Sequence, residues 1–307
     1  MTFSIVAVSD DRQWLGVAVA SRVLAVGRAV AAAAAGAGAI ATQAHCNMTY
    51  RPRGLDLLRS GLSAPEVLAA LLADDAGPDG RQVGVVDRNG VSATHTGPKA
   101  WPWAGGLTGP GYAIQGNILA GQHVVEAMER AWLSATPGEP FNRRLVKALL
   151  AGDRAGGDRR GRQSAAILVV TPDGAHEAAT ARGGPHYDVN DEHTNLRVDD
   201  HADPVFELSR LVGLNGVTLG RLGLGSTVPL EGALRDEIAL LLDRVGHRPA
   251  GSDAAAVSEA VLQWAFTEDL DDRLRADNLP PDQIDPVVVD YLRYRAGESF
   301  GFGSGLR

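Results

Sequence analysis

Thr2 stands directly behind Met1 and directly before the apolar run Phe3-Ser4-Ile5-Val6-Ala7-Val8. Removal of Met1 is expected to leave Thr2 with a free α-amine beside its own hydroxyl. Those are the base and the nucleophile of an enzyme that works through its N-terminal residue. An unperturbed α-amine titrates at ~7.7–8.0, so a modest downward shift makes it a base at neutral pH. A small residue after methionine is also common without any such role, so Thr2 gains meaning only from its surroundings.

Two other polar positions could take part. Asn117 follows the β-prone run Tyr112-Ala113-Ile114-Gln115, where an amide could donate to an oxyanion, although asparagine is equally a turn residue. Arg159, Arg160 and Arg162 lie in a glycine-rich loop just before Gln163 and Ser164. Guanidinium forks in a loop suit a carboxylate, and the alternative is a solvated basic loop. A metal-dependent hydrolase could start from His186, Asp188 and His193, but their spacing matches no Ca²⁺ loop, and we expect no metal and no cofactor. His45 and Cys46 are adjacent on an expected strand and point to opposite faces, so they do not form a thiol–imidazole pair. The chain has no Gly-x-x-x-x-Gly-Lys, no Gly-x-Ser-x-Gly and no His-Glu-x-x-His. These absences argue against a P-loop, a serine elbow and a helical zinc site.

The elements that must position these groups follow from pattern. Phe3–Val8 and Trp14–Ala20, joined by Ser9-Asp10-Asp11-Arg12, read as an antiparallel hairpin. Val26 to Thr42 reads as two short strands about a glycine turn. A helix through Arg53-Gly54-Leu55-Asp56-Leu57-Leu58 stops at Gly61, and Ser63 with Glu66 forms a capping box for the next. Gln82–Val86 and Val91–His95 flank the hairpin signal Asn89-Gly90. After Tyr112–Gln115 come helices at Gln122–Ser134 and Phe141–Ala151, the buried strand Ala165–Val170, and a helix at Val205–Val212. The order fits two antiparallel sheets with helices outside them better than strict βαβ alternation.

The 307 residues are 45% hydrophobic and 21% charged, as in a soluble globular protein. A net charge of −8 offers no footprint for nucleic acid. No apolar run is long enough for a membrane and no secretory signal is expected, so the location read from the sequence is cytoplasmic. One cysteine excludes an internal disulfide. Nearly all of the net charge falls beyond Ser226, where Leu234–Val245, Asp253–Ala265, Asp271–Arg275 and Pro286–Ala296 read as short helices. The expected organisation is 1–214 as the main domain, 215–228 as linker, 229–296 as an all-α module and 297–307 as a disordered tail.

Thr2-Phe3-Ser4-Ile5-Val6, Val19-Ala20-Ser21-Arg22, Ala41-Thr42-Gln43-Ala44 and Arg53-Gly54-Leu55-Asp56-Leu57-Leu58 occur in that order. Gln115-Gly116-Asn117, Gly156-Gly157-Asp158-Arg159-Arg160-Gly161-Arg162-Gln163-Ser164-Ala165 and Leu196-Arg197-Val198-Asp199-Asp200-His201 follow. Together these blocks resemble the DUF1028 family, grouped with the N-terminal nucleophile hydrolases, over roughly residues 2–214. The resemblance implies an α+β fold, a four-layer αββα sandwich of two antiparallel sheets, with the small all-α domain after it. Residues 234–295 are also similar to a helical module described as peptidoglycan-binding, which we read as an oligomerisation or lid module.

The resemblance transfers no established catalytic set, so roles rest on chemistry and on placement within the blocks. The expected catalytic residues are Thr2 and Asn117. The expected substrate-binding residues are Arg22, Gln43, Asp158, Arg159, Arg162 and Ser164. The expected activity is hydrolysis of a small amide, an anionic amide, ureido compound or lactam, by a homo-oligomer whose Met1 a methionine aminopeptidase removes. The alternatives are a non-enzymatic binding protein on the same fold and the metal-dependent hydrolase.

Overall fold

A computed structural model describes residues 2–172, 192–218, 227–270, 274 and 282–298. Two compact units divide the chain after Val212.

In the first unit, β1 (Thr2–Val8) and β2 (Leu15–Ser21) form the expected hairpin. β3 (Ala31–Ala34) and β4 (Gly38–Ala44) form a second, with Gly36 at φ 64 in its turn. The next helices are α1 (Tyr50–Arg59) and α2 (Ala64–Ala73). The Glu66 carboxylate accepts from Ser63 N–H at 2.8 Å and from Ser63 Oγ at 2.6 Å, which starts α2 at the expected place. β5 (Arg81–Asp87) and β6 (Ser92–Thr96) pair about Asn89-Gly90. Asp87 Oδ1 accepts from Asn89 and Val91 N–H, and Gly90 takes φ 81.

β7 (Gly105–Gly109) was not expected. Its three glycines hide it from a β-propensity reading, and Gly109-Pro110-Gly111 is the turn of a β7–β8 hairpin with β8 at Tyr112–Asn117. α3 (His123–Leu133) and α4 (Phe141–Arg154) match expectation. β9 (Ser164–Val170) is joined by β10 (Glu192–Val198), an edge strand to which the sequence reading assigned no element. Thr194 and Val198 are buried while Asn195 and Arg197 face water, the alternation an edge strand needs.

Among the described residues all ladders are antiparallel, giving a six-stranded sheet in the order β10-β9-β2-β1-β8-β7 and a four-stranded one in the order β3-β4-β5-β6. α1 and α2 pack on β3–β6 through Leu58, Val67 and Leu71 against Ile40, Val83 and Val85. α3 and α4 pack on the six-stranded sheet. The opposite faces of the two sheets share one apolar core of Val6, Val8, Val17 and Val19 with Ala39, Ala41 and Val86.

α5 (Pro204–Thr218) corrects the expected linker. Residues 215–218 continue the helix, because Asn215 and Val217 are buried and Leu214 and Val217 pack into the second unit's core. The glycines at 213 and 216 cost helix propensity, and this burial offsets the loss. The second unit holds α6 (Gly232–Arg244), α7 (Ala254–Thr267) and α8 (Pro286–Arg295) about Trp264, Leu241 and Leu292. It is not all-α: β11 (Val228–Pro229) pairs with β12 (Gln283–Ile284), and Leu230 N–H donates to Asp282 O. The expected helix at Asp271–Arg275 and most of the expected tail lie outside the described residues.

Candidate functional site

β1 is the central hydrogen-bonded strand about which the site forms. It pairs with β2 on one side and β8 on the other, setting Thr2 opposite Asn117 and Ser4 opposite Gln115. Side chains alternate along a strand, so Thr2, Ser4, Val6 and Val8 all face the four-stranded sheet. Val6 and Val8 enter the apolar core, whereas Thr2 and Ser4 enter a polar cluster at the same end of every neighbouring strand.

The cluster is a closed network of neutral groups. Ser4 Oγ donates to Gln43 Oε1 at 2.7 Å, and Gln43 Nε2 donates to Gln82 Oε1 at 2.8 Å and to Thr2 O at 3.2 Å. Asn117 Nδ2 donates to Gln82 Oε1 at 2.9 Å and lies 3.5 Å from Thr2 O. Gln82 Nε2 donates to Gly116 O at 2.8 Å and to Thr96 Oγ1 at 2.9 Å. Gln115 Nε2 donates to Ser4 Oγ at 2.6 Å. Ser4, Gln43, Gln82, Gln115 and Asn117 are at most 1% exposed, so each bond among them replaces water that cannot enter. Thr2 itself is 6% exposed, and its Oγ1 lies 3.2 Å from Ser21 Oγ.

The loop from Gly156 to Gln163 borders this end. Asp158 is buried and accepts from Arg22 N–H at 2.8 Å and Arg160 N–H at 2.8 Å. Ala120 N–H donates to Gly157 O, and Arg159 N–H donates to Ile118 O, which ties the loop to the turn after Asn117. Gly156 and Gly161, at φ 104 and 105, make bends that a side chain would strain. On the loop's outer side a cavity of about 360 Å³ is lined by Asp153, Arg154, Gly156, Asp158 and Arg162 among others. Thr2 is not among its lining residues.

The sequence-selected residues therefore divide into three groups. Thr2 and Asn117 are adjacent, paired in register, with the Asn117 amide reaching the Thr2 carbonyl and Gln82. Gln43 and Ser164, expected at the substrate, are buried and engaged within the protein. Ser164 Oγ donates to Val23 O at 2.5 Å and accepts from Val26 N–H, pinning the chain after β2. Asp158 is likewise a loop anchor. Arg162 grips Asp153 with Nε at 2.9 Å and a second nitrogen at 2.8 Å. Burial pushes the Asp153 carboxyl up despite that grip, and the bonds to Asp153 raise Arg162. Arg22 and Arg159 are exposed, and Arg22 donates to Gln163 Oε1 at 2.6 Å. Arg160 and Arg162 are exposed as well, with their guanidinium groups paired to Asp158 and Asp153.

Sequence reasoning missed Ser4, Ser21, Gln82 and Gln115. Their signal is a shared one: each is the polar residue in an otherwise apolar inward-facing set. Of the metal candidates, His186 and Asp188 lie outside the described residues. The His193 ring meets Trp14 edge-on at 4.7 Å. Among the described residues, no group of three His, Cys, Asp or Glu could hold a metal ion. Burial raises the Cys46 thiol, which donates to Thr42 O. Among the described residues no helix is long and apolar enough to cross a membrane.

The described structure is a mixed α+β chain of antiparallel sheets with a hydroxyl residue at the head of its central strand. The chain belongs to the DUF1028 family, described as a family of unknown function, whose model matches residues 2–208. A crystal structure of a DUF1028 protein from Silicibacter pomeroyi is similar, with 27% identity and a TM-score of 0.59. The match covers 77% of this chain and 92% of that one. No match is found among the curated proteins.

Proposed function

We propose that the protein hydrolyses a small amide C–N bond with Thr2 as N-terminal nucleophile, on an αββα sandwich of the N-terminal nucleophile type. One observation carries the reading: Thr2 heads the central strand with its hydroxyl beside another hydroxyl and its carbonyl held by two amide donors. With Met1 removed, the α-amine takes the proton of Oγ as Oγ attacks the substrate carbonyl. A backbone N–H or the Asn117 amide stabilises the oxyanion, and water then clears the acyl-enzyme. An unperturbed α-amine at ~7.7–8.0 is close enough to neutrality to serve as the base. Arg22 and Arg159 would take a substrate carboxylate, giving an anionic amide, ureido compound or lactam as the substrate class. This chemistry asks for neither metal nor cofactor. Met1 removal by a methionine aminopeptidase sets the reaction in the cytoplasm.

The test is a screen of small amides and ureido acids for mass-shifted products. Thr2→Ala and a chain with an uncleaved N-terminal extension serve as controls. Both are expected to abolish turnover, since the extension turns the amine into an amide that cannot act as base. Turnover in either would sink the mechanism.

A second reading, a binding protein on the same fold, is favoured by the cavity beside Asp153 and Arg162, which does not include Thr2. Intact mass separates the two, because a chain that keeps Met1 in cells supports the binder. We assign the C-terminal unit to homo-oligomerisation. Leu240, Leu262 and Phe266 are 55%, 41% and 74% exposed on it, an apolar surface suited to burial against another copy.

A further inference from the structure

Thr2 faces a geometric difficulty as its own base. Its hydroxyl and its α-nitrogen are joined through only two carbons. That bends any internal O–H···N contact below the ~120° at which hydrogen bonds weaken steeply. A group that can accept one proton while giving another would close the gap, and a hydroxyl can do both.

We propose that Ser21 is that group, a catalytic proton relay between Thr2 Oγ and the Thr2 α-amine. This rests on the reading of Thr2 as nucleophile. Ser21 Oγ lies 3.2 Å from Thr2 Oγ1 and is, among the described residues, its one hydrogen-bond partner. The contact is prepared by the sheet: Phe3 pairs with Ala20, so Ser21 ends β2 where Thr2 begins β1. Ser21 is 2% exposed, which keeps bulk water from substituting freely.

Neighbouring groups are unsuited to the task. Gln43 and Asn117 approach Thr2 through amide N–H groups, which donate and do not accept a proton. The Ser164 hydroxyl, paired in register with Ser21, is engaged with Val23 and Val26.

The step balances without another reagent. As Thr2 Oγ forms its bond to the substrate carbonyl carbon, its proton passes to Ser21 Oγ. The Ser21 proton passes to the α-nitrogen, which becomes an ammonium, and the carbonyl π pair moves onto oxygen. When the tetrahedral intermediate collapses, the C–N bond breaks. The ammonium proton then travels back through Ser21 to the leaving nitrogen.

The test needs no natural substrate. Periodate cleaves a free N-terminal 1,2-amino alcohol, so conversion of the Thr2 peptide to its glyoxylyl form with loss of acetaldehyde reports a processed Thr2 independently of any relay. In a separate, untreated sample a small β-lactone acylates a reactive Thr2 Oγ, followed by mass and located by peptide mapping. Wild type should react with both reagents and Thr2→Ala with neither at this position. Ser21→Ala should keep periodate reactivity and its melting temperature but acylate about 100-fold more slowly, within the usual range for general acid–base assistance. Ser21→Thr should recover most of the rate, and the solvent isotope effect of wild type should be lost in Ser21→Ala. Acylation of Ser21→Ala at the wild-type rate overturns the relay and leaves the nucleophile standing. Failure of periodate-reactive wild type to acylate at Thr2 overturns both.

Discussion

Replacing Gln43 with methionine keeps the length of the side chain and removes its polar end. If Gln43 is a strut, as its burial indicates, the loss falls on stability. Four contacts go: the bond accepted from Ser4 Oγ at 2.7 Å, and those donated to Gln82 Oε1 at 2.8 Å, Thr2 O at 3.2 Å and Gln115 O at 3.4 Å. Gln82 Oε1 keeps Asn117 as donor, so it is weakened and not orphaned. The Ser4 hydroxyl loses its acceptor in a region where Ser4 is 0% exposed, whereas Thr2 O keeps its place opposite Asn117 in the ladder and the 3.5 Å contact to the Asn117 amide. One orphan at about 1–3 kcal/mol, with the weakened bonds at Gln82 and Thr2 added, gives a loss of roughly 2–4 kcal/mol. For a unit of this size that lowers the melting temperature by roughly 10 °C. Calorimetry and urea denaturation check it, and a cycle with Ser4→Ala should show a coupling of about 1 kcal/mol. A Gln43→Met protein with an unchanged denaturation midpoint and weakened substrate binding would refute the reasoning and return Gln43 to the substrate.

Gly84→Ala should destabilise by about 1–3 kcal/mol in urea denaturation, because an added Cβ would lie 2.1 Å from Gln115 Oε1 in the packed network. Asp158→Ala should free the loop it anchors, so trypsin should cut after Arg159, Arg160 or Arg162 at least about tenfold faster than in wild type, as seen by peptide mass. Arg81 hydrogen bonds, ahead of those from Tyr50 and Asn47, hold Asp75 well below the usual carboxylate range. A depressed folded value means the stabilisation is present above the ordinary 3.8 and lost as pH falls below it, so Asp75→Asn should flatten the acid limb of a stability–pH curve. Burial and then the bond to Glu129 push the Tyr112 phenol up to about 12. A raised value means that contribution is full below 10.0 and fades as pH rises through about 12, and Tyr112→Phe should remove this alkaline loss.

Elements whose signals are local were legible in the sequence: the capping box at Ser63 and Glu66, the Asn89-Gly90 turn, and the β-prone runs of β1 and β2 about their polar turn. β7 and β10 were not. The stability of β7 comes from pairing with β8, and β10 is an edge strand whose polar outward residues mask its inward Thr194. The helix through 215–218 was hidden for a related reason. Its glycines read as a break, and only the burial of Val217 explains why the helix continues.

The site was half legible, and the half that was missed bears on how such a site is built. Thr2 and Asn117 could be found singly, from position and from a strand end. Ser4, Ser21, Gln82 and Gln115 look individually like ordinary strand residues. What distinguishes them is that each occupies the inward position at the same end of a different strand. Val6, Val19, Ala41, Val86 and Ala113 fill the corresponding inward positions further along. Neutral amides can fill such a layer because each carries both donor and acceptor, so a closed network leaves no buried charge to compensate. A carboxylate at any of these positions would stabilise an ammonium at Thr2 and silence the proposed base. Among the described residues this layer holds neutral amides and hydroxyls, which suits the proposed nucleophile, and it is written across five strands at a period of two.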